Sequence, residues 1–135
     1  MIILRTLILN NKGSLLIDQN NETLSLPQKV CYTNEDCSSF EESAFNLLKE
    51  MYNIEDILPN DFYLYCFFNK IEAGEVFLDV VYKSTTKLRK LNGAKIKARF
   101  MEIREIKKDI DLFTDEIDQQ ILRRFIIRED NPTFL

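Results

Sequence analysis

The side chains able to do chemistry in this sequence are carboxylates, lysines, tyrosines and thiols, because the chain contains no histidine. The absence of histidine removes imidazole acid–base catalysis and zinc sites with His ligands. The three cysteines, an odd number, favour reduced thiols over a disulfide framework. We therefore expect a cytoplasmic protein, and no apolar run reaches the ~18 residues that a membrane span requires.

Glu50 is the candidate catalytic carboxylate and the candidate metal ligand. Mg²⁺ prefers oxygen ligands at about 2.1 Å in octahedral geometry, and residues one helical turn apart can supply them. The neighbours of Glu50 on a helix are Asn46, Leu47, Met51 and Asn53. Asn46 offers an uncharged carbonyl oxygen, whereas Leu47 and Met51 offer nothing to a hard cation.

Other acids of the same helix are too far from Glu50 to complete a metal site. Glu41 and Glu42 lie about 12–14 Å away along the axis, at about 1.5 Å per residue. A metal site would need Glu35, Asp36 or a carboxylate from another loop. The alternative interpretation of Glu50 is a solvated carboxylate on a helix surface.

Residues 83–99 form a basic segment, with seven lysines and arginines and no acid, in a chain whose net charge is −4. Within it Lys95, Lys97 and Arg99 alternate with apolar residues, which is typical of a strand with one solvated face. These three cations are the candidates for binding the phosphates of a nucleotide or of RNA. The alternative is that lysines on an edge strand prevent aggregation.

The element that presents Glu50 is predicted to be a helix over residues 39–52. Ser38 followed by Glu41 forms a capping box at its start, and Asn53 is an acceptable stop. Before the helix, Leu24–Leu26 alternates as a short strand does, and Pro27 ends that strand because it lacks an N–H. A loop over residues 27–37 joins the two.

The remaining elements are mostly strands. The aromatic run 61–69 is expected to be a buried strand, residues 102–110 a link, and Thr114 the cap of a second helix. The order of elements, β-β-β-α-β-β-β-α, favours an α+β fold, an α/β/α sandwich in which two helices flank a mixed sheet. We expect residues 1–128 to form a single domain and 129–135 a C-terminal tail. Strands are predicted over residues 2–9, 14–17, 24–26, 61–69, 76–82 and 95–103.

The segment from Leu26-Pro27 through the loop to a helix ending in LKEMYNI resembles the Nudix box, the signature of the Nudix hydrolases. Laid on the family's pattern without gaps, Leu48, Glu50 and Ile54 match. Leu47 and Met51 stand where the family has two further metal-binding glutamates. The resemblance covers residues 2–128 in the order of elements, and it implies a sheet between helices with the box helix following the substrate-facing loop.

Hypotheses of different classes follow from the resemblance. The first is a Nudix-fold protein with a degraded metal site that binds a nucleotide or other diphosphate-containing small molecule, RNA or a protein partner, with little or no hydrolysis. Mg²⁺ would then bind weakly or not at all. The alternative is an active Mg²⁺-dependent pyrophosphohydrolase of nucleoside diphosphate derivatives with relocated metal ligands. A third is a structural module that forms a homodimer through an exposed sheet edge.

Overall fold

The fold is a mixed sheet of seven strands with helices packed on both of its faces. A computed structural model describes residues 1–31 and 39–130 of the chain. The strands are β1 (Ile2–Leu9), β2 (Leu15–Asn20), β3 (Thr23–Ser25), β4 (Gln28–Cys31), β5 (Tyr63–Glu72), β6 (Glu75–Thr85) and β7 (Ala98–Met101). The helices are α1 (Phe40–Tyr52), α2 (Ile103–Lys108) and α3 (Glu116–Asp130).

The sheet is organised around β1, in the order β3-β2-β1-β6-β5. β1 pairs in parallel with β6 over its whole length, from Ile2 opposite Leu78 to Leu9 opposite Thr85. On its other side β1 pairs with β2 at Leu9 and with β4 at residues 2–5. β7 pairs with β2. The α+β architecture predicted from the order of elements is confirmed.

The two faces of the sheet bury separate apolar cores, because successive side chains of a strand point to opposite faces. Along β1, Leu4 and Ile8 face α1, whereas Leu7 and Leu9 face α3. The α1-side core also contains Leu16, Ala44, Leu47, Leu48, Tyr52, Ile54, Ile57, Phe62, Val80 and Tyr82. The α3-side core also contains Leu15, Ile17, Val81, Met101, Ile106, Phe113, Ile121, Leu122 and Phe125.

Helix α1 begins and ends with the capping chemistry that its sequence favours. The Ser39 side chain accepts a hydrogen bond from the Glu42 backbone N–H at 3.0 Å, which satisfies one of the free donors of the first turn. Asn53 adopts a left-handed conformation with φ of 56° and ends the helix. The predicted cap at Ser38 lies outside the described residues. The predicted helix over 39–52 is otherwise confirmed.

Residues 102–110 contain a short helix in addition to the two that were predicted, so the prediction of a link there is wrong. α2 occupies Ile103–Lys108, and the Ile106 side chain is fully buried against the α3-side core. Lys107 and Lys108 lie in its last turn, where the helix dipole favours cations. The helix is only six residues long, too short for its apolar periodicity to be detected in the sequence.

The strand predicted over 95–103 is shorter than expected and comprises Ala98–Met101. Its predicted first part belongs to a loop, because the Lys95 backbone N–H donates to the Met51 carbonyl at the end of α1 rather than to a neighbouring strand. The predicted loop over 27–37 contains the short strand β4, and residues 32–37 lie outside the described part of the chain.

Strand β5 lies at the edge of the sheet, and the expectation that its aromatic run is buried is wrong. On the α1 side of the strand, Leu64 is 55% exposed and Phe67 is 62% exposed. The other face of the strand is covered, since the Arg124 and Arg128 guanidinium groups of α3 stack on the rings of Phe68 and Tyr65. Helix α1 does not extend far enough across the sheet to cover the opposite face.

Candidate functional site

Helix α1 presents Glu50 to solvent and buries the apolar residues on either side of it in the sequence. Glu50 and Asn46 are exposed, whereas Leu47 is buried and Met51 is half-buried against the α1-side core. Residues spaced by three or four positions share one face of a helix, so Leu47 and Met51 form part of its core-facing stripe. Two of the three positions at which the family resemblance implies glutamates are therefore occupied by core residues.

The residues around Glu50 do not fit Mg²⁺. Within residues 1–31 and 39–130 there is no group of three or more His, Cys, Asp or Glu side chains that could hold a metal ion. Mg²⁺ is held by carboxylates and other oxygen ligands, and Leu47 and Met51 supply none. Glu35 and Asp36, the acids that sequence reasoning kept as substitutes, lie outside the described residues.

A loop of residues 86–97, here called the basic loop, is fastened to the segment that follows α1. The Asp56 carboxylate accepts hydrogen bonds from the Thr86 hydroxyl at 2.7 Å and from the Lys87 backbone N–H at 2.8 Å. The Asn53 amide donates to the Asn92 carbonyl at 2.8 Å. A Cβ atom on Gly93 would approach that Asn53 side chain to 3.2 Å, so glycine allows this close contact.

The apolar side chains of the basic loop continue the α1-side core. Leu88, Leu91 and Ile96 pack against the same cluster as Leu47 and Met51. The backbone of Lys95 is held 2.9 Å from the Met51 carbonyl. The loop thus turns its apolar residues toward the end of α1 and leaves its cations in solvent.

The three predicted phosphate-binding cations have different environments. Lys95 and Lys97 are exposed, and within the described residues neither is in an ion pair. Arg99 donates from two nitrogens to the Glu105 carboxylate at 2.6 and 3.2 Å. This hydrogen-bonded pair raises the pKa of Arg99 and lowers the pKa of Glu105. Because Arg99 is paired with Glu105, Lys95 and Lys97 are the stronger candidates for binding phosphate.

The basic segment 83–99 does not form one surface. The Lys83 ammonium lies 5.5 Å from the centre of the Phe125 ring, which places it on the α3 side of the sheet. Five exposed cations of the segment instead belong to the basic loop, whose backbone is fastened to the end of α1. They are Lys87, Arg89, Lys90, Lys95 and Lys97.

Sequence reasoning missed an acid beside the end of α1. Asp18, one residue beyond the strand predicted over 14–17, lies in β2 opposite Ala98, and its carboxylate accepts a 2.6 Å hydrogen bond from the Tyr52 hydroxyl. Burial raises the pKa of Asp18 to about 6, although the Tyr52 hydrogen bond opposes this shift. The next residue, Gln19, donates its backbone N–H to the Lys97 carbonyl. The sequence does contain a signal that the strand extends beyond Ile17. Asp18 follows Leu16 by two residues, which is the spacing of side chains on the same face of a strand.

The two cysteines in the described residues contribute no metal site. Cys31 is half-buried, and Cys66 is buried and forms no disulfide. Burial raises the pKa of the Cys66 thiol, which opposes thiolate formation. Cys37 lies outside the described residues.

Comparison with solved structures identifies the fold. The MutT protein from Methanosarcina mazei Go1 superposes with a TM-score of 0.65 at 18% identity, over 97% of this chain and 95% of that chain. The Nudix domain of Shewanella oneidensis NrtR, in complex with ADP ribose, gives 0.65 at 13% identity, over 96% and 87%. The chain has the Nudix fold.

A third Nudix-related structure is larger than this chain. The bifunctional NMN adenylyltransferase/ADP ribose pyrophosphatase from Francisella tularensis, complexed with AMP and a manganese ion, gives a TM-score of 0.71 at 16% identity. The alignment covers 94% of this chain but 41% of that protein. No protein-family model and no curated protein matches the sequence.

The Nudix fold agrees with the expectation that α1 corresponds to the box helix of the family resemblance. The fold is retained, and the apolar side chains of Leu47 and Met51 are packed into the core. None of the helices in the described residues is long and apolar enough to cross a membrane.

Proposed function

We propose that this chain is a Nudix-fold binding protein for a nucleotide or another diphosphate-containing small molecule, with little or no hydrolysis. The observation that carries the proposal is the placement of Leu47 and Met51. A catalytic metal site needs several carboxylates converging on one ion. In this chain, two of the three expected positions are apolar: Leu47 is buried in the α1-side core, and Met51 packs against that core.

The charge of the basic loop supports an anionic ligand. Its lysines and Arg89 are exposed, and hydrogen bonds hold its backbone at the end of the box helix: the Asn53 amide donates to it, and Asp56 and Met51 accept from it. Cations fixed on an ordered backbone bind phosphate with a smaller loss of conformational entropy than mobile ones do. Lys95 and Lys97 are the residues that we expect to contact the phosphates.

The class of ligand is proposed from the structural neighbours. The Shewanella domain is in complex with ADP ribose and the Francisella enzyme with AMP. We therefore favour an adenine nucleotide or a nucleoside diphosphate derivative over RNA and over a protein partner. We also propose that the protein functions in the cytoplasm, in keeping with its cysteine content.

Ligand-induced stabilisation tests this proposal. The protein is titrated with ADP ribose, AMP and a short RNA, and its thermal unfolding is followed. A ligand at 100 times its Kd adds about 2.7 kcal/mol of stability, and we expect ADP ribose or AMP to produce a shift that Lys95→Gln/Lys97→Gln reduces. The matched control is Arg104→Gln/Lys108→Gln, which removes two cations from α2 on the opposite face. Equal shifts in both variants, or a shift with RNA alone, would contradict the proposal.

The alternative function, an active pyrophosphohydrolase, depends on Glu50. Its carboxylate remains exposed on the box helix, and Glu35 or Asp36 would have to supply the other ligands. A screen of dinucleotides, nucleotide sugars, ADP ribose, nucleoside triphosphates and capped RNA with Mg²⁺ or Mn²⁺ separates the two functions. Metal-dependent turnover that Glu50→Gln abolishes would establish the hydrolase and refute the binding protein.

A further inference from the structure

The outer edge of β5 is long and apolar, and no strand in the described residues pairs with it. β5 has ten residues and is the last strand of the sheet. Natural edge strands are usually short or interrupted by proline and several lysines. β5 contains no proline and one lysine, Lys70, and its single irregularity is a bulge between Leu64 and Cys66.

An exposed apolar row lies along this edge on the α1 side of the sheet. Leu64, Phe67 and Ile71 of β5 are 55%, 62% and 74% exposed, and Val76 of β6, opposite Ile71, is 56% exposed. The row, here called the β5 row, consists of these four residues. A group of exposed apolar side chains such as this one, in which Asn69 alone separates Phe67 from Ile71 on the same face of β5, is typical of a protein–protein interface.

Hydrogen bonds of β6 determine which backbone groups of β5 point outward. The Leu78 N–H donates to the Met1 carbonyl, and the Met1 amino group donates to the Val76 carbonyl. Even-numbered residues of β6 therefore direct their N–H and C=O groups toward β1, and odd-numbered residues direct theirs toward β5. Phe77 and Asp79 lie opposite Lys70 and Phe68 of β5.

The turn of the hairpin gives the same assignment independently. Ala73 and Gly74 both have positive φ, 52° and 78°, as in the two-residue hairpin turn of type I′. Glu72 and Glu75 close that turn as a hydrogen-bonded pair. By alternation, the N–H and C=O groups of Phe67, Asn69 and Ile71 point to the open edge.

These outward-pointing backbone groups allow β5 to pair with a second copy of the same strand. In an antiparallel pair related by a two-fold axis at Asn69, Phe67 lies opposite the partner's Ile71, and Ile71 opposite the partner's Phe67. The outward backbone groups of the two copies then meet in register. The two β5 rows join into one apolar surface, because residues opposite each other share a face of the sheet.

Neighbouring registers are less favourable. An axis at Lys70 places two lysines opposite each other, which is destabilising. An axis at Phe68 brings the bulge at Tyr65 into the paired region, and an axis at Ile71 runs into the turn at Ala73-Gly74. The Asn69 register instead places Lys70 opposite the partner's Phe68, where no like charges meet.

We propose that this protein forms a homodimer in which the β5 strands of two copies pair antiparallel about Asn69, extending the sheet across the dimer. The interface consists of the open edge of β5 and the β5 row. It shares no residue with the basic loop and does not depend on the ligand proposed above.

The oligomeric state tests the proposal. Sedimentation equilibrium at micromolar concentration should give twice the chain mass of 16.0 kDa, and Phe67→Lys/Ile71→Lys should give the mass of a monomer with an unchanged circular dichroism spectrum. The matched control is Leu112→Lys, which alters an apolar residue that is 43% exposed between α2 and α3, and it should remain dimeric. A monomeric wild-type protein, or a dimer that survives Phe67→Lys/Ile71→Lys, would overturn the proposal in favour of another occupant of this edge.

Cysteine cross-linking tests the register. Residues opposite each other in a hydrogen-bonded antiparallel pair have Cα atoms about 5.5 Å apart, which is within the range that a disulfide spans. Asn69→Cys should therefore form a covalent dimer on oxidation. Lys70→Cys should cross-link far less, with the wild-type chain as the blank. Cross-linking by Lys70→Cys but not by Asn69→Cys would overturn the proposed pairing.

Discussion

The two layers that flank the sheet differ in whether charged side chains are buried in their interiors. On the α3 side, the Arg5 guanidinium is 2% exposed and lies among carboxylates. On the α1 side, the corresponding interior is apolar, and Leu47 and Met51 occupy positions at which the family resemblance implies acids. The α3 side of the sheet thus contains fully buried charges, whereas on the α1 side no Lys, Arg, Asp or Glu side chain of the described residues is fully buried.

The buried charges on the α3 side are paired. Arg5 donates to Asp79 at 3.0 and 3.1 Å and to Asp118 at 2.6 Å. The other oxygen of Asp118 accepts from the Leu26 backbone N–H at 3.1 Å, at the bend before Pro27. The cluster therefore links β1, β6 and α3 to the bend between β3 and β4.

The difference between the layers follows from the cost of burying charge. A buried ion is tolerated when opposite charges and hydrogen bonds surround it. Clustered glutamates on a helix face need a bound cation for the same reason, because like charges otherwise repel. Apolar side chains at two of the three positions of α1 avoid that repulsion and add to the core.

Breaking the α3-side cluster should have the largest effect. Arg5→Met should destabilise the protein by about 3–5 kcal/mol, because Asp79 and Asp118 lose their buried counter-ion. Urea unfolding at pH 7 measures the change. Arg104→Met is the control, since Arg104 pairs with Glu102 but is 88% exposed, and it should change stability by less than about 1 kcal/mol. Equal losses in the two variants would show that the Arg5 cluster does not stabilise the fold.

Introducing a charge into the core on the α1 side should have the next largest effect on stability. Leu47→Glu should destabilise by about 2–4 kcal/mol, because it removes a buried leucine and buries a carboxylate. Leu47→Met keeps an apolar side chain of similar volume and should cost less than about 1.5 kcal/mol. Urea unfolding without divalent ions measures both. If Leu47→Glu unfolds at the wild-type urea concentration, residue 47 does not face the core.

The double variant Leu47→Glu/Met51→Glu sharpens the comparison further. With Glu50 it would carry three carboxylates within about one helical turn, and millimolar Mg²⁺ should recover part of the lost stability. Wild-type protein should not respond in this way. Equal responses to Mg²⁺ would contradict the inference that the missing acids account for the poor metal site.

The sequence predicted the layers of the fold better than it predicted which surfaces are covered. Helix caps, turn residues and apolar periodicity depend on residues that are close together in the sequence. They therefore allowed α1 and the strands of the mixed sheet to be predicted. The exposure of Phe67 could not be predicted, because it depends on which strand lies at the edge and on how far α1 extends across the sheet. An aromatic strand has the same composition at an edge and at the centre of a sheet.

The candidate site was predicted in part for the same reason. Glu50, Lys95 and Lys97 were identified by residue type, and the structure places the Lys95 backbone against the end of α1. The pairing of Arg99 with Glu105 required α2, which the sequence did not predict. Asp18 was missed because its partner, Tyr52, is distant in sequence and meets it only after β2 packs beneath α1.

Asp18 offers a smaller, pH-dependent test of the α1 side. Its pKa in the folded protein, about 6, is above the ordinary value of about 3.9, so the folded state holds the proton more tightly than the unfolded state. Stability should therefore fall as pH rises from about 4 to about 6. Asp18→Asn keeps an acceptor for the Tyr52 hydroxyl and should be about 1–2 kcal/mol more stable than wild type at pH 8, after allowance for partial exposure.

Comparison of Asp18→Asn with the wild type isolates this carboxylate. Burial also raises the pKa of Asp118 to about 6, but Asp118 contributes the same pH dependence to both proteins. Urea unfolding from pH 4 to pH 8 should therefore give curves that diverge as pH rises. Parallel curves would mean that Asp18 titrates alike in the folded and unfolded states.

Glu50→Gln should have the smallest effect on stability. It distinguishes a solvent-exposed carboxylate from one that binds a metal ion. Glu50 is exposed on α1, so its neutralisation should change stability by less than about 0.5 kcal/mol. Glu42→Gln, at another exposed position of the same helix, is the control. In the presence of Mg²⁺, the two variants should unfold alike if Glu50 holds no ion. A Mg²⁺-dependent stabilisation that Glu50→Gln removes and Glu42→Gln retains would instead place a cation at Glu50, and residues 32–38 would then be the place to seek its other ligands.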